Sequence, residues 1–283
     1  MRTFVFFGGT DGMGKAAALH YLGAGDQVAV VGRNAAKGAA FLDTAATLGA
    51  GDRAHFIRAD LSLVAETRAA IDQLRAIFSK VDAIVLGARH YRSTRLETAE
   101  GFEYNFALHY LTRFVLSYGM IDLLDAAEQP VILNLGGEPG SGTGDIRWDD
   151  LQFERDYHGM SALVQSGQLT DLLGIAFAQN RPSPKVRYVL LHPGVVNTNF
   201  SGEYDEQTAA QIVSMRATAA PIEKAILSIL DVLDHPPVEP LTAVSTGHRV
   251  DVTTADFDAE AAKRLHTDTV TLLSRLTPAA LGV

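Results

Sequence analysis

The chain has 283 residues, is 47% hydrophobic and contains no cysteine, which excludes global disorder, disulfides, thiolate chemistry and cysteine-ligated zinc. Lys and Arg number 24 against 33 Asp and Glu, a net charge of −9 that argues against nucleic acid or an anionic membrane surface as the main partner. No apolar run approaches the ~20 residues needed to span a bilayer, no signal-peptide layout is visible, and a cytoplasmic protein is expected.

In chain order, an apolar run at Thr3–Gly8 reads as a strand and leads through "GGTDGMG" into a helix over Met13–Gly23. Gly8, Gly12 and Gly14 sit at this strand-to-helix turn. There a pyrophosphate approaches the backbone closely and meets the free N–H groups of the helix start. A tight structural turn is the competing reading. A strand over Gln27–Val31 ends in "VVGRN", so Arg33 stands where NAD sites usually carry an acid. A guanidinium suits a 2′-phosphate, which favours NADP(H) over NAD(H); the bland alternative is a solvated arginine. After a helix over Ala35–Leu48, the strand Ala54–Ala59 leads to "RADLS". Its Asp60 is placed to accept from an adenine amino group, and a helix N-cap at Ser62 is the competing role for this turn.

A helix over Leu63–Ser79, a strand over Ala83–Ala88, a long helix over Gly101–Ala127 and a strand over Pro130–Leu135 follow. Gly136–Asp145 reads as a glycine-rich loop. Beyond it come a helix over Met160–Gln179, a strand over Val186–His192, a helix over Ile222–Leu233, a short seventh strand near Thr242–Thr246 and a helix over Asp256–Leu276. The alternation specifies α/β architecture with a doubly wound, mostly parallel sheet. One domain over residues 1–283 is expected, with variable lid segments on the substrate side at about 200–220 and 236–255. The histidines share no metal-ligand spacing, and no metal is expected.

The ordered stretches "GGTDGMG", "GRN", "ADLS", "EGFEYNFALHYLTRFVL", "VILNLGG", "WDDLQFERDY", "LVQSG", "LHPGVVNT" and "EAAKRLHTDT" together resemble the short-chain dehydrogenase/reductase family. The branch containing retinol dehydrogenases and protochlorophyllide reductases looks nearest. The resemblance implies a three-layer Rossmann fold with seven strands. It implies dinucleotide contacts from Gly8, Thr10, Asp11, Gly12, Met13, Gly14, Arg33, Asn34, Asp60, Leu61 and Ala88, and nicotinamide contacts from Pro193, Gly194, Val195 and Thr198. A homodimer or homotetramer formed through two long helices is also implied.

Family enzymes move the alcohol proton with a Tyr-x-x-x-Lys pair, the lysine drawing the phenol down from ~10. Here the tyrosine position is Leu163 and the lysine position Gly167, and none of the eight tyrosines has a lysine four residues on. The serine position is Gly137, and the helix asparagine is His109. Arg89 replaces the glycine that closes the family's strand-four motif, where it would contact a phosphate or obstruct the pocket. His109 and Glu138 are the candidate replacements for proton transfer, each weighed against a structural role. The expected protein is an atypical NADP(H)-binding oxidoreductase acting on a small apolar or carbonyl-bearing substrate. The alternatives are a non-redox cyclase, isomerase or dehydratase on the same fold, or a cofactor-sensing pseudoenzyme.

Overall fold

The computed structural model describes residues 1–140 and 146–276. The far part of the expected Gly136–Asp145 loop, residues 141–145, and residues 277–283 lie outside the described residues. The first half of the chain gives β1 (Thr3–Phe7), α1 (Gly12–Gly23), β2 (Gln27–Gly32), α2 (Ala35–Thr47), β3 (Ala54–Arg58), α3 (Val64–Ile77), β4 (Ala83–Leu86) and β5 (Tyr91–Arg92). Next come α4 (Tyr104–Phe106), a π turn at Ala107–Leu111, α5 (Thr112–Gly119), α6 (Ile121–Asp125) and β6 (Val131–Leu135). The remainder is α7 (Gly159–Asn180), β7 (Arg187–His192), β8 (Gly202–Glu203), α8 (Glu206–Ala217), α9 (Ile222–Asp234), β9 (Leu241–Ser245), β10 (His248–Val250) and α10 (Ala259–Ser274).

The main sheet runs β10-β9-β7-β6-β4-β1-β2-β3 and is parallel except for the β9–β10 pair. Strand β1 shows why it forms a centre: all five of its residues are buried. Val5 and Phe7 point into a cluster with Ile71 and Leu74 of α3, Phe114 of α5, Leu169 and Phe177 of α7 and Leu265 of α10. Phe4 and Phe6 point the other way, against Ala17 and Leu22 of α1, Phe41 of α2 and Ile229 of α9. The period of two therefore builds helix layers on both faces, and a continuous apolar run is what a doubly covered parallel strand requires.

Three features differ from the sequence reading. The sheet has an eighth, antiparallel strand, β10, beyond the seven expected. It is reached by a hairpin in which Thr246 (φ 47°) and Gly247 (φ 85°) both take left-handed backbone; threonine is an unusual residue for that conformation, so the turn carries no clear sequence mark. The helix expected over Gly101–Ala127 is split. Glu103 caps its start by accepting from the Phe106 N–H at 2.7 Å, a π turn follows, and α5 ends at Gly119. Lastly, residues 236–255 hold β9 and the edge strand β10 and contribute nothing to the wall of the large cleft, unlike the lid segment expected there.

The outer face of α5 and α7, through which copies were expected to pair, is covered by α10 of the same chain. Thr269 meets the Tyr110 hydroxyl at 2.6 Å, His266 packs against Phe114 and Tyr118, and the Arg264 guanidinium lies 4.4 Å from the Trp148 ring centre. An assembly built on that face would first have to displace α10.

The close approach of β1 and β4 leaves a testable mark. Gly8 has φ +91°, and a Cβ there would lie 2.6 Å from both Cα and N of Ala88. Main chain cannot swing aside as a side-chain tip can, so the clash adds to the left-handed strain. Gly8→Ala is expected to lose about 3 kcal/mol or more of unfolding free energy in a urea titration. A loss under about 1 kcal/mol would contradict this account of the turn.

Candidate functional site

The strand order reverses between β1 and β4, and a cleft opens at the carboxyl ends of these strands, where open α/β sheets bind ligands. It encloses about 500 Å³. The turn from β1 to α1 supplies Gly8, Thr10, Asp11, Gly12, Met13 and Gly14; the end of β2 supplies Arg33 and Asn34; the end of β3 supplies Asp60 and Leu61. Ala88 follows β4, and Pro193, Gly194, Val195 and Thr198 follow β7. Every residue expected from sequence to touch a dinucleotide thus lies on one wall system. The glycine turn fits a pyrophosphate: a Cβ on Gly14 would strike the Gly8 carbonyl oxygen at 2.6 Å, and the first-turn amides of α1 have no intrahelical acceptor.

Asp11 caps α1, its Oδ1 accepting from the Gly12 N–H at 2.8 Å. Its Oδ2 accepts from Asn199 Nδ2 at 2.9 Å and pairs with the Lys37 ammonium. Burial works against the charge most strongly, yet Lys37, Asn199 and the Gly12 amide together hold the carboxyl below its ordinary range. Asn34 caps α2 by accepting from the Lys37 N–H at 3.0 Å. Asp60 Oδ1 accepts from both N–H and hydroxyl of Ser62, at 3.0 and 2.7 Å; Ser62 is not the helix cap expected there, because α3 starts after Leu63 without a side-chain cap and its Val64 and Ala65 N–H groups donate to Glu100. Arg33 is exposed and donates to the Tyr104 hydroxyl at 2.8 Å, a neutral partner that leaves its charge available to a ligand.

The proton-transfer positions are less united. Gly137 and Leu163 lie on the cleft wall and Gly167 does not. Among the described residues, no atom beyond the immediate chain neighbours and the local helix backbone lies within 4 Å of where a Cβ would stand on Gly137 or Gly167. His109 sits in the π turn, is 5% exposed and finds no partner among the described residues for either ring nitrogen. Burial first, then Arg89, Arg113 and His90, drives its pKa well below that of free histidine, so the ring is neutral at pH 7. Its neighbour Leu108 lines the cleft; His109 does not. Glu138 also lies off the wall, accepting from the Ser245 hydroxyl at 3.3 Å. The two expected acid–base candidates are therefore not brought to one point.

Several wall residues escaped the sequence reading. Lys37 enters from the first turn of α2, and Tyr104 from α4. Phe200, Tyr204, Ile212 and Met215 come from the segment between β7 and α9, which is where the first lid was expected. That segment is fastened to the loop after β4 by the two-residue parallel ladder β5–β8. Three side-chain contacts add to it: His90 Nδ1 to Ser201 Oγ at 2.8 Å, Arg92 Nη1 to Glu203 Oε1 at 2.5 Å, and the Asp205 N–H to Ser93 Oγ at 2.7 Å.

A switch-point cleft, a glycine turn feeding a helix start and a parallel sheet covered on both faces define a Rossmann-type nucleotide-binding protein. The family model for short chain dehydrogenase matches residues 2–144, and the chain belongs to that family of oxidoreductases. It is 31% identical over 207 residues to Oxidoreductase AN1596 of Emericella nidulans, covering 70% of this chain and 59% of the relative. Retinol dehydrogenase 14 of Homo sapiens is 26% identical over 141 residues, covering 50% of this chain and 42% of the relative, which agrees with a retinol dehydrogenase-like branch. The chain thus spans less than two thirds of either relative. A short chain dehydrogenase from Burkholderia cenocepacia J2315, solved in complex with NADP, superposes with a TM-score of 0.64 at 20% identity, over 87% of this chain and 97% of that one. Among the described residues, no helix is long and apolar enough to cross a membrane.

Proposed function

We propose that this chain is an NADP(H)-dependent oxidoreductase that interconverts an apolar alcohol and its carbonyl without the family's tyrosine–lysine pair. The observation that carries the reading is the cleft wall: it gathers the complete expected dinucleotide set, with Arg33 free of any acidic partner among the described residues, while Gly137 and Leu163 offer nothing that titrates. A bound nicotinamide supplies the hydride. The glycine turn seats the pyrophosphate, Arg33 faces the 2′-phosphate, and Pro193, Gly194 and Thr198 orient the carboxamide end. Met160, Leu163, Ile212 and Met215 give the substrate end an apolar lining, in keeping with relatives named as retinol dehydrogenases. Water in the cleft exchanges the alcohol proton, because His109 is neutral and lies off the wall.

Fluorescence titration tests the reading. NADPH is expected to bind at least tenfold more tightly than NADH, and Arg33→Ala to abolish that preference. Apolar aldehydes should then consume NADPH, slowly. Absence of saturable NADPH binding would defeat the proposal. The bare positions 137, 163 and 167 favour a second reading, a non-redox enzyme on the same scaffold. Product formed without any change in the cofactor's oxidation state would select it.

A further inference from the structure

His192 closes β7, and the alternation of that strand sets its direction. Tyr188 and Leu190 belong to the buried cluster on the α7 side of the sheet, whereas Val189 and Leu191 belong to the cluster on the α1 side. A period of two therefore sends His192 to the α7 side, towards the helix that carries Leu163 and Gly167. The neighbouring strand is β6, whose register pairs Leu135 with Leu191, so Gly136 and Gly137 come next beside His192. His192, Gly136, Gly137 and Leu163 all line the cleft.

The imidazole is half-buried, and its Nδ1 lies 3.3 Å from the Gly136 carbonyl oxygen. A carbonyl only accepts, so Nδ1 carries the proton and the neutral ring keeps its lone pair on Nε2. That Nε2 forms no hydrogen bond with a described residue and is not shut off from solvent, unlike Nε2 of His90 and both ring nitrogens of His109. Other titratable groups of the wall are engaged. Tyr104 accepts from Arg33 at 2.8 Å, the Tyr204 hydroxyl donates to the Phe200 carbonyl, and His90 Nδ1 meets Ser201 Oγ at 2.8 Å. Asp11 and Asp60 are bonded at the dinucleotide end. The Arg89 guanidinium, exposed on the wall, stays protonated at neutral pH and has no proton to give.

We propose that His192 is the proton donor of this cleft, passing its Nε2 proton through one water to the oxygen of a bound carbonyl. The proposal rests on the oxidoreductase reading above and names the group behind the water that exchanges the alcohol proton. The carbonyl carbon gains a hydride from the nicotinamide, and the carbonyl oxygen gains a proton from the water. That water is restored by the Nε2 proton of the imidazolium. The ring is left neutral, its Nδ1–H still on the Gly136 carbonyl, and a proton from solvent recharges it. Alcohol oxidation runs the same transfers backwards, with the neutral Nε2 as base. The bare Gly137, with no described atom beyond its chain neighbours within 4 Å of an added Cβ, leaves room for the bridging water.

Chemical modification and kinetics on the full chain test it. Diethyl pyrocarbonate should modify His192 in the ligand-free protein and leave His109 untouched, and saturating NADPH should slow the modification of His192 several-fold, as read by peptide mass spectrometry. His192→Asn keeps an N–H to face the Gly136 carbonyl and removes the transferable proton. NADPH-linked reduction of an apolar aldehyde is expected to fall about tenfold in both His192→Asn and His192→Ala, less than a directly placed acid would cost, because a water intervenes. NADPH affinity should be unchanged in both. Added imidazole should restore His192→Ala, which has space for it, and not His192→Asn. A wild-type rate in His192→Asn, no rescue of His192→Ala by imidazole, or modification of His192 at the same rate with and without NADPH would each overturn the proposal and leave the oxidoreductase reading intact. Absence of NADPH binding would instead remove that reading, and the proton transfer with it.

Discussion

Installing Leu163→Tyr together with Gly167→Lys is expected to raise NADPH-linked ketone reduction by about 10²-fold, the lower end of what a positioned general acid contributes. Both positions have room. Leu163 already faces the cleft, and no atom lies within 4 Å of where a Cβ on Gly167 would stand. Replacing a helix-interior glycine should also favour α7 slightly. Neither change suffices alone: a phenol without a neighbouring cation stays near its ordinary pKa of ~10, and a lysine without a phenol has no proton to tune. Gly137 still lacks the family's serine hydroxyl, which keeps the expected gain modest. The comparison is kcat/KM of the two single variants and the double variant on one ketone, beside NADPH affinity. A double variant that binds NADPH normally and reduces the ketone no faster than wild type would show that the missing pair is not what limits turnover.

A large effect of pH on stability is expected from Asp171. This carboxyl on α7 is half-buried, accepts from the Gly140 N–H at 3.0 Å, and has its pKa pushed up to about 7 from 3.8. Burial is the main cause, with the Gly140 hydrogen bond opposing it. A native pKa above the unfolded value means that the native state holds the proton more tightly. Its stabilising contribution is complete below about 4 and is lost as pH rises to about 7. Asp171→Asn keeps the shape and removes the titration. The unfolding free energy of the variant minus that of wild type should therefore grow by ~3 kcal/mol between pH 4.5 and pH 8. Urea titrations at the two pH values measure this directly, and taking the difference cancels the other carboxylates. A difference independent of pH would mean that Asp171 ionises normally in the folded protein.

The dinucleotide wall could be read from the sequence because its logic is local. Glycine spacing, a strand end and a helix start lie within a dozen residues, and the contacts expected there are made by the backbone. Arg33, Asp60 and Pro193 were legible for the same reason, each sitting at a strand terminus whose position follows from hydrophobic periodicity. The remaining features are long-range. Asn199 reaches Asp11 across 188 positions, and Ser245 reaches Glu138 across 107. No spacing rule anticipates such partners. His109 failed for a different reason. Its family position placed it at the active site, but it sits in a π turn and off the cleft wall.

The position of α10 bears on how the polypeptide is made. Residues 2–144, which match the family model, emerge from the ribosome before α7 and α10. At that stage Phe114 and Tyr118 of the nascent half have neither Phe177 of α7 nor His266 of α10 to lie against. Strand β6 still lacks β7 on its open edge. This half thus waits on α10 for its cover, and until α10 has been made it presents aromatic surface and an unpaired strand to the translation environment.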